Sequence, residues 1–130
     1  MTTANVFRTA VENRDLRGMV ETLADDVLFH SPAKFSPFEG KTAVGALLQV
    51  LMQHVFEEFR YTDDLESADG LHGLVFQARV GERQVQGIDL LRFDDSGKIR
   101  EFTVMLRPRS GLDAVMNAVN DKLGLVAGND

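Results

Sequence analysis

The chain of 130 residues has no cysteine, which excludes thiol nucleophiles, disulfide bridges and thiolate metal sites and is compatible with a reducing cytoplasm, the location expected. Basic residues are scarce: 14 Lys and Arg stand against 20 Asp and Glu, for a net charge of −6. Nucleic-acid binding draws on clustered cations, and no basic stripe supplies them, so no nucleic-acid partner is expected. No apolar run approaches the roughly 20 residues of a membrane span, so no membrane partner is expected either. Arg8 and Glu12 interrupt the apolar pattern of the first residues, which therefore do not read as a secretion signal. A Gly-rich phosphate loop, an HExxH metal motif and a Gly-x-Ser-x-Gly elbow are all missing. His30, His54 and His72 are too dispersed to converge as ligands, so neither a metal nor a cofactor is expected.

What is present reads as one α+β domain over residues 1–130. Hydrophobic residues at 44% and charged residues at 26% allow an ordinary core in a chain of this length. Val6, Phe7, Ala10 and Val11 recur at helical spacing between Ala4 and Asn13, and Asp15 can cap a second helix carrying Leu16, Met19, Val20 and Leu23. Asp25-Asp26 breaks that pattern, and a strand Val27–Ser31 follows, stopped by Pro32. Pro32 to Gly40 reads as a loop. Thr42 can cap a third helix with the stripe Val44, Leu47, Leu48, Leu51, Val55 and Phe56. Four strands, Phe59–Leu65, Leu71–Val80, Gln84–Phe93 and Ile99–Leu106, are joined by short turn signals, as in an antiparallel meander. Pro108 and Gly111 end the last one. Leu112, Val115, Met116, Val119 and Leu123 form a closing helix, and Val126–Asp130 reads as a frayed tail.

One residue resists this bland reading. Alternation in Gln84–Phe93 puts Val85, Gly87, Asp89 and Leu91 on one face. An aspartate between Ile88 and Leu90 has low strand propensity and is costly to desolvate without a partner. Either this face is partly solvated and Asp89 only accepts hydrogen bonds, or its carboxyl points into a concave pocket where desolvation raises its pKa and fits it to proton transfer or ligand binding. Leu74, Phe76, Ala78 and Val80, and on the last strand Phe102, Val104 and Leu106, share faces that can line such a cavity.

The paired helices ending in Leu23-Ala24-Asp25-Asp26, the strand stopped by Pro32, Phe38-Glu39-Gly40-Lys41 before the long helix, and Ile88-Asp89-Leu90-Leu91-Arg92-Phe93-Asp94 followed by Gly97-Lys98-Ile99 occur in the order seen in one superfamily. The chain resembles the nuclear transport factor 2-like proteins, in their SnoaL-like and ketosteroid isomerase-like branch. The resemblance implies a cystatin-like roll: a cone-shaped, strongly curved and mostly antiparallel sheet wrapped around the N-terminal helices, with an apolar pocket at its open end. It also implies a homodimer through the outer face of the sheet, which gives Gln86, Ile88, Leu90, Thr103 and Met105 a second role.

Ketosteroid isomerases carry an acid carboxyl in the Ile-Asp-x-x-Arg-Phe segment, which Asp89 matches. Their base carboxylate falls at Ser31 and their helical tyrosine at Phe7, and neither substitute can do the same chemistry. A standard steroid isomerase is therefore not expected. Two readings stay open: an isomerase- or cyclase-like enzyme using Asp89 on a carbonyl compound, or a non-catalytic binder of a hydrophobic metabolite. Both place the small hydrophobic molecule among Phe7, Phe29, Ser31, Leu74, Phe76, Phe102, Val104 and Leu106. His30 is either a second catalytic group working with Asp89 or a partly buried histidine satisfied elsewhere; alternation turns it away from the pocket if Ser31 faces in. His54 and His72 are expected at the surface, and Arg92 on the face opposite Asp89. Lys34 and Lys41 beside the proline-containing loop are either solvated rim charges or attractors for an anionic ligand.

Overall fold

Capping residues and helical periodicity set the first elements. In the computed structural model, which describes residues 2–123, α1 (Thr3–Glu12) starts where the Thr2 side chain accepts a hydrogen bond from Asn5 N at 3.2 Å. It buries Ala4, Phe7, Ala10 and Val11, whereas Val6, expected in the same stripe, stays exposed. Asp15 caps α2 (Leu16–Glu21) as expected, accepting from Gly18 N at 3.0 Å. The strand after it begins earlier than the Asp25-Asp26 pair implied. Thr22 O accepts from Ile99 N at 2.8 Å, so the chain is already aligned with the last strand when β1 (Leu23–His30) starts. Leu23 and Ala24 are buried, and Asp25 and Asp26 point to solvent from the irregular middle of β1.

The loop expected from Pro32 to Gly40 holds a short strand, β2 (Phe38–Glu39), paired with β1. Gly40, and not Thr42, caps α3 (Lys41–Val50), with no side-chain cap bond. Its φ of 93° turns the chain sharply into the helix, a conformation that disfavours any residue with a Cβ. Helix α3 runs on into a π-helical turn at Leu51–Val55, a wider local winding often found beside functional sites.

Four long strands complete the sheet: β3 (Glu57–Glu66), β4 (His72–Val80), β5 (Arg83–Phe93) and β6 (Ile99–Arg107). They pair in sequence as the expected antiparallel meander. The six-stranded sheet has the order β2-β1-β6-β5-β4-β3 and is curved and unclosed. Its one parallel pair joins β1 to β6; such a pair requires a long crossover, which α3 and the meander provide. Helix α4 (Arg109–Leu123) packs back on β5, β6 and the π-helical turn, and Gly111, expected to end a strand, lies inside it. The predicted tail Val126–Asp130 and the Leu123 side chain lie outside the described residues.

The concave face of the sheet and the helices share one core in which Phe7, Phe29, Phe76 and Phe102 are almost wholly buried. Phe102 of β6 meets both Phe7 of α1 at 5.3 Å and Phe29 of β1 at 5.1 Å, tying helix to sheet. Each such ring contributes about 1.5–3 kcal/mol by leaving water. Phe76 fits because its partner across the β4–β5 pair is Gly87. A Cβ at Gly87 would stand 2.4 Å from Phe76 Cζ and 2.8 Å from Met105 O. Gly87→Ala should therefore destabilise the protein by about 1–3 kcal/mol. A lower urea midpoint at unchanged slope is the expected readout; an unchanged midpoint would show that Phe76 can move aside freely.

Candidate functional site

A cavity of about 130 Å³ lies between the concave face of the sheet and the helices. Its sheet walls come from Phe29 on β1, Phe59 and Tyr61 on β3, Phe76 on β4, Asp89 on β5, and Phe102, Val104 and Leu106 on β6. Helices α1, α3 and α4 close it with Phe7, Leu48 and Val115, among others. The charged residues lining it are Asp89 and Lys34; the polar ones are Ser31, Tyr61 and Asn120. An apolar enclosure with few convergent polar groups is the usual form of a small-molecule site.

Strand alternation alone carries Asp89 inward. Val85, Gly87, Asp89 and Leu91 are all buried while Gln86, Ile88 and Leu90 are half-exposed, and Asp89 sits opposite Leu74 on β4 and Val104 on β6. Its residue is 5% exposed. The Tyr61 hydroxyl donates to Asp89 Oδ2 at 2.8 Å, and among the described residues Oδ1 has no protein partner. Burial pushes the Asp89 carboxyl up to about 7, with the Tyr61 hydrogen bond pulling against it. The phenol is itself held well above its ordinary range, first by burial and then by the charge and hydrogen bonding of Asp89.

The position of Tyr61 is built with care. It is the buried residue of β3, whose other side chains are exposed or half-exposed. Register shifts flank it between Glu57 and Arg60 and again between Tyr61 and Asp63, and Glu58 adopts a φ of 54°. Such bulges re-aim side chains. The rings of Phe59 and Phe76 stack at 4.7 Å, and Phe59 meets Tyr61 edge-on at 5.1 Å. On the other side the Arg8 guanidinium lies 5.9 Å from the centre of the Tyr61 ring. Arg8 is itself held by Glu12 at 3.4 Å and Asp64 at 3.3 Å, and Asp64 also bonds His72. His72 is thus buried, not at the surface as expected: as the first residue of β4 it shares the inner face with Leu74 and Phe76.

The SnoaL-like domain family matches residues 4–102. The chain belongs to that family. The crystal structure of a steroid delta-isomerase from Pseudomonas aeruginosa is 41% identical, with 94% of this chain and 89% of that chain covered and a TM-score of 0.89. A protein from Silicibacter pomeroyi with a cystatin-like fold is 31% identical, covering 94% of this chain and 85% of that one, with a TM-score of 0.87. A Mycobacterium tuberculosis protein in complex with estradiol-17beta-hemisuccinate shares the fold at 19% identity, covering 82% and 95% of the two chains, with a TM-score of 0.64. No curated protein matches the chain.

In this SnoaL-like domain the structure brings Phe7, Phe29, Phe76, Phe102, Val104 and Leu106 to the cavity wall, together with Ser31 and Asp89. Leu74 is a correction: it is wholly buried, but it packs in the core and does not line the cavity. His30 is another. Alternation along β1 turns it to the outer face, where its Nε2 lies 3.1 Å from Glu101 Oε2, so it does not work with Asp89. Arg92 projects outward towards Asp69 at 3.8 Å, on the face opposite Asp89 as expected. His54 is exposed, also as expected. Ser31 Oγ accepts hydrogen bonds from Ala33 N at 3.3 Å and Lys34 N at 3.4 Å. Sequence alone does not single out Tyr61, because the resemblance to ketosteroid isomerases points to a phenol on α1. The signal was there: Phe59 and Tyr61 share one face of their strand by period two.

The buried acid leaves a thermodynamic signature. Unfolded Asp titrates near 3.9, so between pH 4 and 7 the folded state keeps a proton that the unfolded state has released. Raising pH through this window must therefore weaken the fold through Asp89, by about 4 kcal/mol in all. Asp89→Asn keeps an acceptor for Tyr61 and abolishes the titration. In urea unfolding, the stability of the variant relative to the wild type should rise from pH 4 to 7 and level off above about 8. A difference that stays flat with pH would contradict a raised Asp89 pKa.

Proposed function

We propose that this SnoaL-like domain binds a small hydrophobic molecule carrying one carbonyl or hydroxyl oxygen, which it places on Asp89. One observation carries the reading: in a mostly apolar cavity Asp89 is the one carboxyl among the described lining residues, held by Tyr61 through Oδ2 and with no protein partner on Oδ1. When Asp89 is protonated, Tyr61 O–H donates to Oδ2 and Oδ1–H donates to a ligand carbonyl. Once it is ionised, Oδ1 accepts from a ligand hydroxyl. Because its pKa of about 7 lies near the working pH, both states are accessible, and the group can polarise a carbonyl as a general acid. The estradiol hemisuccinate held by the Mycobacterium tuberculosis protein of the same fold supports a hydrophobic ligand.

A second reading goes further, to turnover, and the 41% identity to a steroid delta-isomerase favours it. Asp89 is the carboxyl among the described cavity residues, so it must serve as its own proton shuttle, taking a proton from carbon as carboxylate and returning it as acid. Ser31, engaged with the backbone of its own turn, offers no second base. The absence of cysteine supports the cytoplasm as the compartment we propose.

Assembly is part of the proposal. Ile88, Leu90 and Val75 stay half-exposed on the convex face and Met105 is 54% exposed. A second copy of the chain is the occupant we assign to this face, supported by the resemblance that predicts a dimer there.

Two measurements test these statements. 1-Tetralone and its alcohol, 1-tetralol, should bind with opposite pH dependence: the ketone weakens as pH rises through 7 and the alcohol strengthens, and both trends vanish in Asp89→Asn. Parallel pH profiles for the two would remove Asp89 from ligand contact. In sedimentation at micromolar concentration the wild type should run as a dimer and Met105→Glu as a monomer; a wild-type monomer would refute the interface.

A further inference from the structure

Among the described residues Lys34 is the one cation that lines the cavity, and it also borders an outer groove with His30, Pro32, Phe35, Thr103 and Leu112. Its position is fixed twice. The Ser31 hydroxyl accepts from the backbone N–H of Ala33 and of Lys34, holding the turn against the end of β1. The Lys34 ammonium then rests 4.7 Å from the centre of the Phe38 ring, and Phe38 packs edge-on against the core ring of Phe29 at 6.3 Å. A ring face attracts the cation without neutralising it.

Among the described residues no carboxylate lies within ion-pair distance of Lys34; the same holds for Lys41 and Lys98, but Lys34 alone of the three lines the cavity. Nor does Lys34 serve Asp89: the influences on the Asp89 carboxyl are its burial and Tyr61, with no cation among them. Besides its neutral polar residues, the cavity thus presents two separate charged points, an acid suited to a neutral oxygen and an ammonium beside the groove. Two such points select a ligand with two polar ends.

Resting on the reading given above, we propose that the ligand is an amphipathic anion: its apolar body fills the cavity, its neutral oxygen meets Asp89, and its carboxylate, sulfonate or phosphate group meets Lys34. A lysine suits this role because a compact ammonium on a flexible stem follows an anion of any geometry. Ser31, at the position where ketosteroid isomerases carry their base, then acts by holding the turn that presents the cation.

The test uses two fluorescent probes that differ only in a sulfonate, 8-anilinonaphthalene-1-sulfonate and N-phenyl-1-naphthylamine, each displaced by 1-tetralone to establish that it sits in the cavity. Lys34→Gln should weaken the sulfonate probe about tenfold and the neutral probe by less than twofold, and Lys34→Arg should restore the difference. Salt should weaken only the sulfonate probe. Equal effects of Lys34→Gln on both probes, or none on the sulfonate, would overturn the inference while leaving the cavity reading intact. Failure of the sulfonate probe alone to enter the wild-type cavity would overturn the inference only, and failure of both probes would overturn the cavity reading as well.

Discussion

An acid withdrawn from water sets the terms for the rest of this molecule. Ionised, Asp89 would lose its hydration in a wall of phenyl rings and aliphatic side chains, so the fold answers with a phenol, a raised pKa and an open face towards the cavity. Each answer has its own structural requirement. The phenol needs an edge strand bulged on both sides of Tyr61, and Tyr61 in turn rests against Phe59 and under Arg8. The apolar wall needs Gly87 to admit Phe76. The acid is tolerated because its folded-state proton removes most of the desolvation cost.

The sequence made Asp89 visible through a local contradiction, a carboxylate in a β-run whose alternate positions are apolar. The same period-two logic placed Phe76, Phe102, Val104 and Leu106, and helical spacing placed Phe7 and the α3 stripe. What stayed hidden was non-local. Nothing near Leu23 announces that β1 pairs in parallel with β6, because that pairing is made by residues more than seventy positions away. His72 sits at a strand start, where its burial is invisible from sequence, and only the fold brings Asp64 against it. Val115 and Val119 belonged to a recognisable stripe, yet that the stripe closes the cavity depends on how α4 returns across β5 and β6.

Tyr61 is the most instructive case. A family template directed attention to α1, where Phe7 stands, and so the phenol counted as lost. The structure supplies one from the sheet, on β3. A phenol thus meets the buried acid from a position that a residue-by-residue transfer of roles cannot find. Ser31 lines the cavity, but its side chain stabilises a turn. SnoaL-like domains share an architecture; what each does is decided by the few polar groups its cavity contains.

The most direct test of this account is the titration of Asp89 itself, followed by carboxyl ¹³C NMR and assigned by the signal that disappears in Asp89→Asn. The account predicts a midpoint near 7 in the ligand-free protein. A midpoint near 4, that of a carboxyl in water, would mean that Asp89 is solvated and ionised at neutral pH, and the proposed acid would not exist.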